Sequence, residues 1–180
     1  MKENTQTIIS LDCATKSSGL AIFQDKELKA YKCLKESSTD LIKRIRNMTE
    51  KIEKIIKKYD NVIIILEDVR PENSRSLNMK THKALMWLQA SIAFMAYDNN
   101  IEIIYLLPSE WRSLCGIKTG SGIKRESLKK ADIQFVQNHF DINENDDICD
   151  AIGIGYAYLA RENKKEKEEK LDIIDGFEFK

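Results

Sequence analysis

Apolar residues recur along this chain in two periods, and the places where one gives way to the other mark out its elements. Ile8-Ile9-Ser10-Leu11 and Leu20-Ala21-Ile22-Phe23 are short dense runs that read as two strands, with Ser17, Ser18 and Gly19 supplying the turn between them. After a second turn at Gln24-Asp25-Lys26, Glu27 to Leu34 alternates polar and apolar in its first half, as an edge strand does. Three strands joined by short turns make an antiparallel meander. The period then lengthens. Leu41, Ile42, Ile45, Met48, Ile52, Ile55 and Ile56 fall at helical spacing, predicting a helix capped by Ser38 or Thr39 and running to about Tyr59, with its cations on a solvated face. Asn61 to Leu66 is a continuous apolar run, as in a strand covered on both faces, and it ends on Glu67-Asp68.

Pro71 and Asn73-Ser74 then break the chain into a loop over Val69 to Arg75. From about Leu77 to Asp98 the pattern is helical again, but apolar around much of the circumference. Such a helix is buried on more than one side, by its own domain and by a partner. Ile101 to Leu106 reads as a fifth strand. A short helix opens at Pro108-Ser109-Glu110-Trp111, and Gly116, Gly120 and Gly122 make a flexible basic loop. Further helices run from about Lys124 to Phe140 and from about Asp146 to Arg161. The pattern gives one domain over 1–163 and a charged, solvated or mobile tail over 164–180. The expected fold is α/β, a five-stranded mixed sheet flanked by helices, with right-handed crossovers.

Composition narrows the class. At 180 residues, 42% hydrophobic and 32% charged, the chain suits an ordinary globular domain. It holds no run of about eighteen apolar residues, and Met1-Lys2-Glu3-Asn4 has no signal-peptide core, so no membrane association is expected. The four cysteines, Cys13, Cys33, Cys115 and Cys149, lack CxxC spacing, which fits a reduced, cytoplasmic setting without zinc. Net charge is zero, yet the charge is segregated. Arg112, Lys118, Lys124, Arg125, Lys129 and Lys130 form a basic arm, and Asp141, Glu144, Asp146, Asp147 and Asp150 form an acidic pole without a cation. Local patches of this kind, not net charge, govern phosphate contact.

The candidate chemistry lies in acids at the ends of apolar elements. Asp12 closes the first strand and Glu67 the fourth, at the sheet edge where α/β folds bind ligands. Asp147 and Asp150, three apart at the start of the last helix, project on one face, and the small residues after them let that helix lie close to the sheet. Gathered together, such carboxylates repel until a cation or proton relieves them. Hard divalent cations take oxygen ligands and keep several waters. Two magnesium ions roughly 3.5–4 Å apart activate a water on one side of a phosphodiester and steady the leaving oxygen on the other. On the last helix alone, a plain N-terminal acid cluster balancing the helix dipole is an equal reading. Of the other singled-out residues, Trp87 reads as core or interface, and Trp111 is open to both core and base-stacking readings. His82 and His139 are far apart and are not expected to act as general bases.

The chain resembles the RuvC family of Holliday-junction resolvases, in the ribonuclease H-like superfamily, and its bacteriophage branch in particular. The resemblance rests on Leu11-Asp12 with Gly19 and Ala21, Leu66-Glu67, Pro108-Ser109-Glu110-Trp111-Arg112 with Gly116, Lys124, and Asp147-Ile148-Cys149-Asp150-Ala151-Ile152. It implies a ribonuclease H-like fold and a magnesium-dependent homodimeric endonuclease, with manganese able to substitute, that places paired nicks in branched DNA such as four-way junctions and forks. Asp12, Glu67, Asp147 and Asp150 would hold the metal, Arg112 and Lys124 would stand near the scissile phosphate, and the 77–98 helix would be the dimer element. Lys118, Arg125 and Lys129 extend the expected DNA contacts. The setting implied is DNA recombination in the bacterial cytoplasm, or in the host cytoplasm for a phage protein. Two departures stand out. The family's Asp-Pro-Gly is Asp12-Cys13-Ala14 here, and the aromatic three residues past the glutamate is Arg70, which can contact phosphate or stack on a base. Relaxed junction selectivity is the expected consequence.

Three rivals stay in view. A nuclease for single strands or RNA/DNA hybrids would use the same fold. A branched-DNA binding protein without catalysis would not need the complete acid set. An actin-like phosphotransferase would need a second phosphate hairpin and a longer chain.

Overall fold

The structure, a computed structural model, describes residues 5–69 and 79–175, with side chains to residue 168. Its strands are β1 (Thr7–Asp12), β2 (Ser17–Gln24), β3 (Glu27–Lys35), β4 (Val62–Glu67) and β5 (Glu102–Leu106). They form a single five-stranded sheet in the order β3-β2-β1-β4-β5. The β1–β2 and β2–β3 pairs are antiparallel, and β1–β4 and β4–β5 are parallel. The expected mixed sheet is the one observed.

The helices are α1 (Leu41–Ile56), α2 (Met79–Asp98), α3 (Pro108–Leu114), α4 (Arg125–Phe140) and α5 (Asp146–Asp175). The period-2 pleat sorts the central strands between two cores. Ile9, Leu11, Leu20, Ile22, Ile64 and Leu66 pack with Met48, Ile52, Leu88 and Ile92 of α1 and α2. Ile8, Ala21, Phe23, Ile63 and Ile65 pack on the other face with Trp111 of α3, Phe135 and Val136 of α4, and the apolar stripe of α5. α5 lies close against the sheet. Ser10 Oγ donates to the Ala151 carbonyl at 2.7 Å, and a side chain at Gly155 would overlap the Phe23 ring.

Several boundaries differ from those read off the pattern. α1 is capped by Asp40, whose carboxylate accepts from Lys43 N at 2.7 Å, so Ser38 and Thr39 lie outside the helix. α4 begins at Arg125, with Lys124 as its N-cap. Gly19 belongs to β2 opposite Asp12, not to the turn, which is instead closed by Ser18 Oγ accepting from Ala14 N and donating to Ala14 O. α5 runs on to Asp175, well past Arg161. Apolar spacing stops there, but the ion pairs Lys165–Glu162 and Lys164–Glu168, at i,i+3 and i,i+4 spacing, and Lys26–Glu166 support the continuation. Arg70, most of the predicted 69–75 loop, and the expected start of the long helix at Leu77 lie outside the described residues.

Candidate active site

Asp12 and Glu67 end neighbouring parallel strands in the same register, since Leu11 pairs with Leu66. Because side chains alternate along a strand, both share the parity of Ile8, Ile63 and Ile65 and so project onto the face that α5 covers. Asp147 and Asp150 come to that face from the first turns of α5, whose N-terminus is tied by Asn145 Oδ1 accepting from Ile148 N at 3.1 Å. Gly19, opposite Asp12, is where α5 touches the sheet: a methyl there would overlap the Asp147 carbonyl. The four acids therefore meet at one end of the sheet by strand register and by one backbone-to-backbone approach.

Two of the four carboxylates, those of Glu67 and Asp147, are held by hydrogen bonds. Glu67 accepts from Trp111 Nε1 at 2.6 Å, and its backbone carbonyl accepts from Gln89 Nε2 of α2 at 2.6 Å. Asp147 accepts from Ser17 Oγ, which also lies 3.1 Å from Cys33 Sγ. Arg112 stands between elements. Its Nη1 is 4.0 Å from Glu67 and its Nη2 3.9 Å from Asp150, while its Nε and Nη2 engage Asp132 at 3.0–3.1 Å. The guanidinium lies over the Trp111 ring, 4.2 Å from its centroid.

Burial and like charge leave Asp12, Glu67 and Asp150 reluctant to ionise. Asp12 is pushed up from 3.8 to about 7, first by burial and then by the charges of Glu67, Asp147 and Asp146. Asp150 is pushed up from 3.8 to about 9, by burial first, then by Asp12 and Asp132, against the opposing pull of Arg112. Burial raises Glu67 as well, although Trp111 and Arg112 work against it. A carboxylic acid with a raised folded-state pKa stabilises the fold below its unfolded pKa, and that contribution is lost as pH rises through the folded value. The metal-free protein is therefore expected to lose stability from about pH 4 toward pH 9. Melting at about pH 8 should lie roughly 4–8 °C below melting at about pH 5.5, and Asp150→Asn should remove much of the difference. Thermal melts across that range check it, and an unchanged or opposite pH trend would contradict it.

The donor set suits a hard cation. All four candidate side chains offer carboxylate oxygens, and Asp150 Oδ1 is buried without a hydrogen-bond partner. Among the described residues no three histidine, cysteine or acidic side chains form a ready-made metal cage. Magnesium is commonly held through one or two carboxylates and retained waters, so a closed cage is not what it needs.

The expected DNA-contacting cations are placed in two ways. Lys118, Lys124 and Arg125 are exposed, and the Arg125 charge reaches Glu67. Lys129 pairs with Asp146 at the start of α5. Arg112 is only 12% exposed and belongs to the interior of the site. Trp111 is fully buried, which settles it as a support for Glu67 and not a base-stacking platform. Four residues escaped the sequence reading: Asp132, Gln89, Ser17, and Trp111 in its role as a donor. Asp132 had a visible signal, being an acid on the helix face that carries Leu128, Phe135 and Val136. The partner of Gln89, a backbone carbonyl 22 residues away, had none.

No protein-family model matches the chain, and no curated protein sequence matches it. Solved structures do. The Thermus thermophilus RuvC in complex with a Holliday junction substrate superposes with a TM-score of 0.67 at 10% identity, covering 88% of this chain and 96% of that one. A second structure of the same protein gives 0.66 at 10% identity, covering 89% and 97%. The yeast mitochondrial Holliday junction resolvase Ydc2 gives 0.56 at 12% identity, covering 85% and 77%. The chain has the RuvC-type, ribonuclease H-like fold.

Proposed function

We propose that this protein is a magnesium-dependent endonuclease that cuts branched DNA, including four-way junctions, by paired phosphodiester cleavage. The observation that carries the reading is the meeting of Asp12, Glu67, Asp147 and Asp150 on one face, at the strand ends of a fold shared with Holliday-junction resolvases. Asp12, Glu67, Asp147 and Asp150 would hold one or two divalent ions, with manganese able to replace magnesium. A bound ion supplies activation of the attacking water and stabilisation of charge at the leaving oxygen. The chain's own residues prepare that site. Trp111 fixes Glu67 at the sheet edge, Ser17 fixes Asp147, and Arg112 offsets part of the negative charge without occupying it. Lys118, Lys124 and Arg125 present the exposed charge that phosphates meet, contacts that position a duplex without reading its sequence. A role in phage or bacterial recombination, in the cytoplasm, accords with the reading.

Paired nicks need two sites related by a two-fold axis. α2 offers the surface for it. Leu88, Ile92 and Met95 are buried against the domain, while Met79, Met86, Phe94 and Tyr97 remain exposed, the last two at 72% and 81%. A helix that stays apolar on its outer face marks a partner site. The wild-type protein should sediment as a dimer at micromolar concentration, and Phe94→Glu with Tyr97→Glu should give a folded monomer that loses paired cleavage. A wild-type monomer, with and without DNA, would contradict this arrangement.

The test of the activity is a cleavage panel of a four-way junction, a fork, a nicked duplex, a single strand and an RNA/DNA hybrid, each with magnesium. Cutting of the junction and fork is expected. Cutting confined to the single strand or the hybrid would transfer the chain to the rival nuclease reading, and binding without cutting would make it a branched-DNA binding protein.

A further inference from the structure

Resting on the reading that these acids hold a divalent cation, we propose that Asp132 is a positioning residue that tethers Arg112 beside Glu67 and Asp150 and so keeps both carboxylates open to the ion. Asp132 lies on α4, outside the acid set, and is 1% exposed. Its two oxygens take Arg112 Nε at 3.1 and 3.0 Å, and Oδ2 also takes Nη2 at 3.0 Å. The Pro108 carbonyl accepts from Nη1 at 3.4 Å, and the Trp111 ring supports the guanidinium from one side. Held in this way, the cation stops 4.0 Å from Glu67 Oε2 and 3.9 Å from Asp150 Oδ2.

Those two separations lie just beyond hydrogen-bonding distance. A shift of about one ångström would turn them into charge-assisted hydrogen bonds. Asp150, whose carboxyl also neighbours that of Asp132, keeps Oδ1 buried without a donor, so it is an acceptor ready to take a freed guanidinium. With Asp132 in place, the planar fork of Arg112 is satisfied by a matching carboxylate and has no reason to move. Without it, the best partners within reach are Glu67 and Asp150, and a metal ion would then have to displace a resident ion pair. The tether thus lets a positive charge ease the repulsion among the acids without competing for them.

The experiment is calorimetric titration of the DNA-free, full-length protein with manganese chloride, which reads the site without cleavage. Asp132→Asn should weaken manganese binding about tenfold, the equivalent of one new charge-assisted contact to be broken. The double variant Arg112→Gln/Asp132→Asn should return to within about threefold of wild type, because the released cation is gone. A purely structural role for Asp132 predicts no such recovery. Should Asp132→Asn fail to fold, Arg112→Lys carries the same test: a flexible ammonium cannot be held by a bidentate partner, so manganese binding should again weaken. Asp150→Asn serves as the control for the site itself. Wild-type binding that is absent, or indifferent to Asp150→Asn, would overturn the metal reading and the tether with it. Binding that depends on Asp150 but is unchanged in Asp132→Asn, or in Arg112→Lys where that variant stands in for it, would overturn the tether alone. So would binding not recovered in the double variant.

Discussion

Asp12→Asn, Glu67→Gln, Asp147→Asn and Asp150→Asn should each reduce cleavage of branched DNA by at least about 10³-fold while DNA affinity changes little, since metal-assisted stabilisation of the transition state amounts to several kcal/mol. The dissociation is the informative part. Asp12 lies within reach of the charges of Glu67, Asp147 and Asp150, whereas the exposed cations proposed to meet phosphate lie on the α3–α4 loop and at the start of α4. Removing a carboxylate charge should therefore leave the phosphate contacts in place, and it lowers repulsion toward a polyanion. Single-turnover cleavage beside gel-shift binding on the same junction checks it. A variant that keeps near-normal turnover removes its residue from the site, and one that loses binding and melting temperature together marks that acid as structural.

The second large effect concerns a residue with no functional group. Gly19→Ala should nearly abolish cleavage and destabilise the fold by roughly 3 kcal/mol, at the upper end for an overpacked core. The added methyl meets backbone, the Asp147 carbonyl, so no side-chain rotamer can relieve it. Either α5 lifts at its N-terminus or β2 is pushed away, and both moves separate Asp147 and Asp150 from Asp12. Melting temperature and turnover of Gly19→Ala are the measurement. Wild-type values in both would mean that this contact is not what brings the acids together.

Gly19 also shows how far the sequence could be read. Beside two serines it looked like turn chemistry, because nothing local announces that a helix beginning more than 120 residues later will press on that strand. What could be read was anything carried by period. The continuous run Val62–Leu66 and the apolar residues of β1 identified central strands, and an acid ending each placed Asp12 and Glu67 at one edge. The paired acids of α5 followed from i,i+3 spacing, and the small residues after them from the need for close packing. What could not be read depended on partners distant in the chain. Arg112 looked like one more cation of a basic arm, and only its encounter with Asp132, 20 residues on, turns it into an interior group. Trp111 was equally ambiguous until Glu67 appeared as its acceptor. The helical course of α5 beyond Arg161 was hidden for a different reason, since ion pairs sustain it and apolar spacing does not record them.

The measurement that bears most directly on the central claim is the mapping of cleavage products on all strands of an immobile four-way junction, with and without magnesium, for the wild-type protein and Asp150→Asn. Paired nicks at symmetry-related positions on two opposing strands, present only with magnesium and absent in Asp150→Asn, are the expected result. Cleavage that persists without a divalent cation, or that survives in Asp150→Asn, would contradict the assignment of these carboxylates as the metal-holding core of a junction-cutting enzyme.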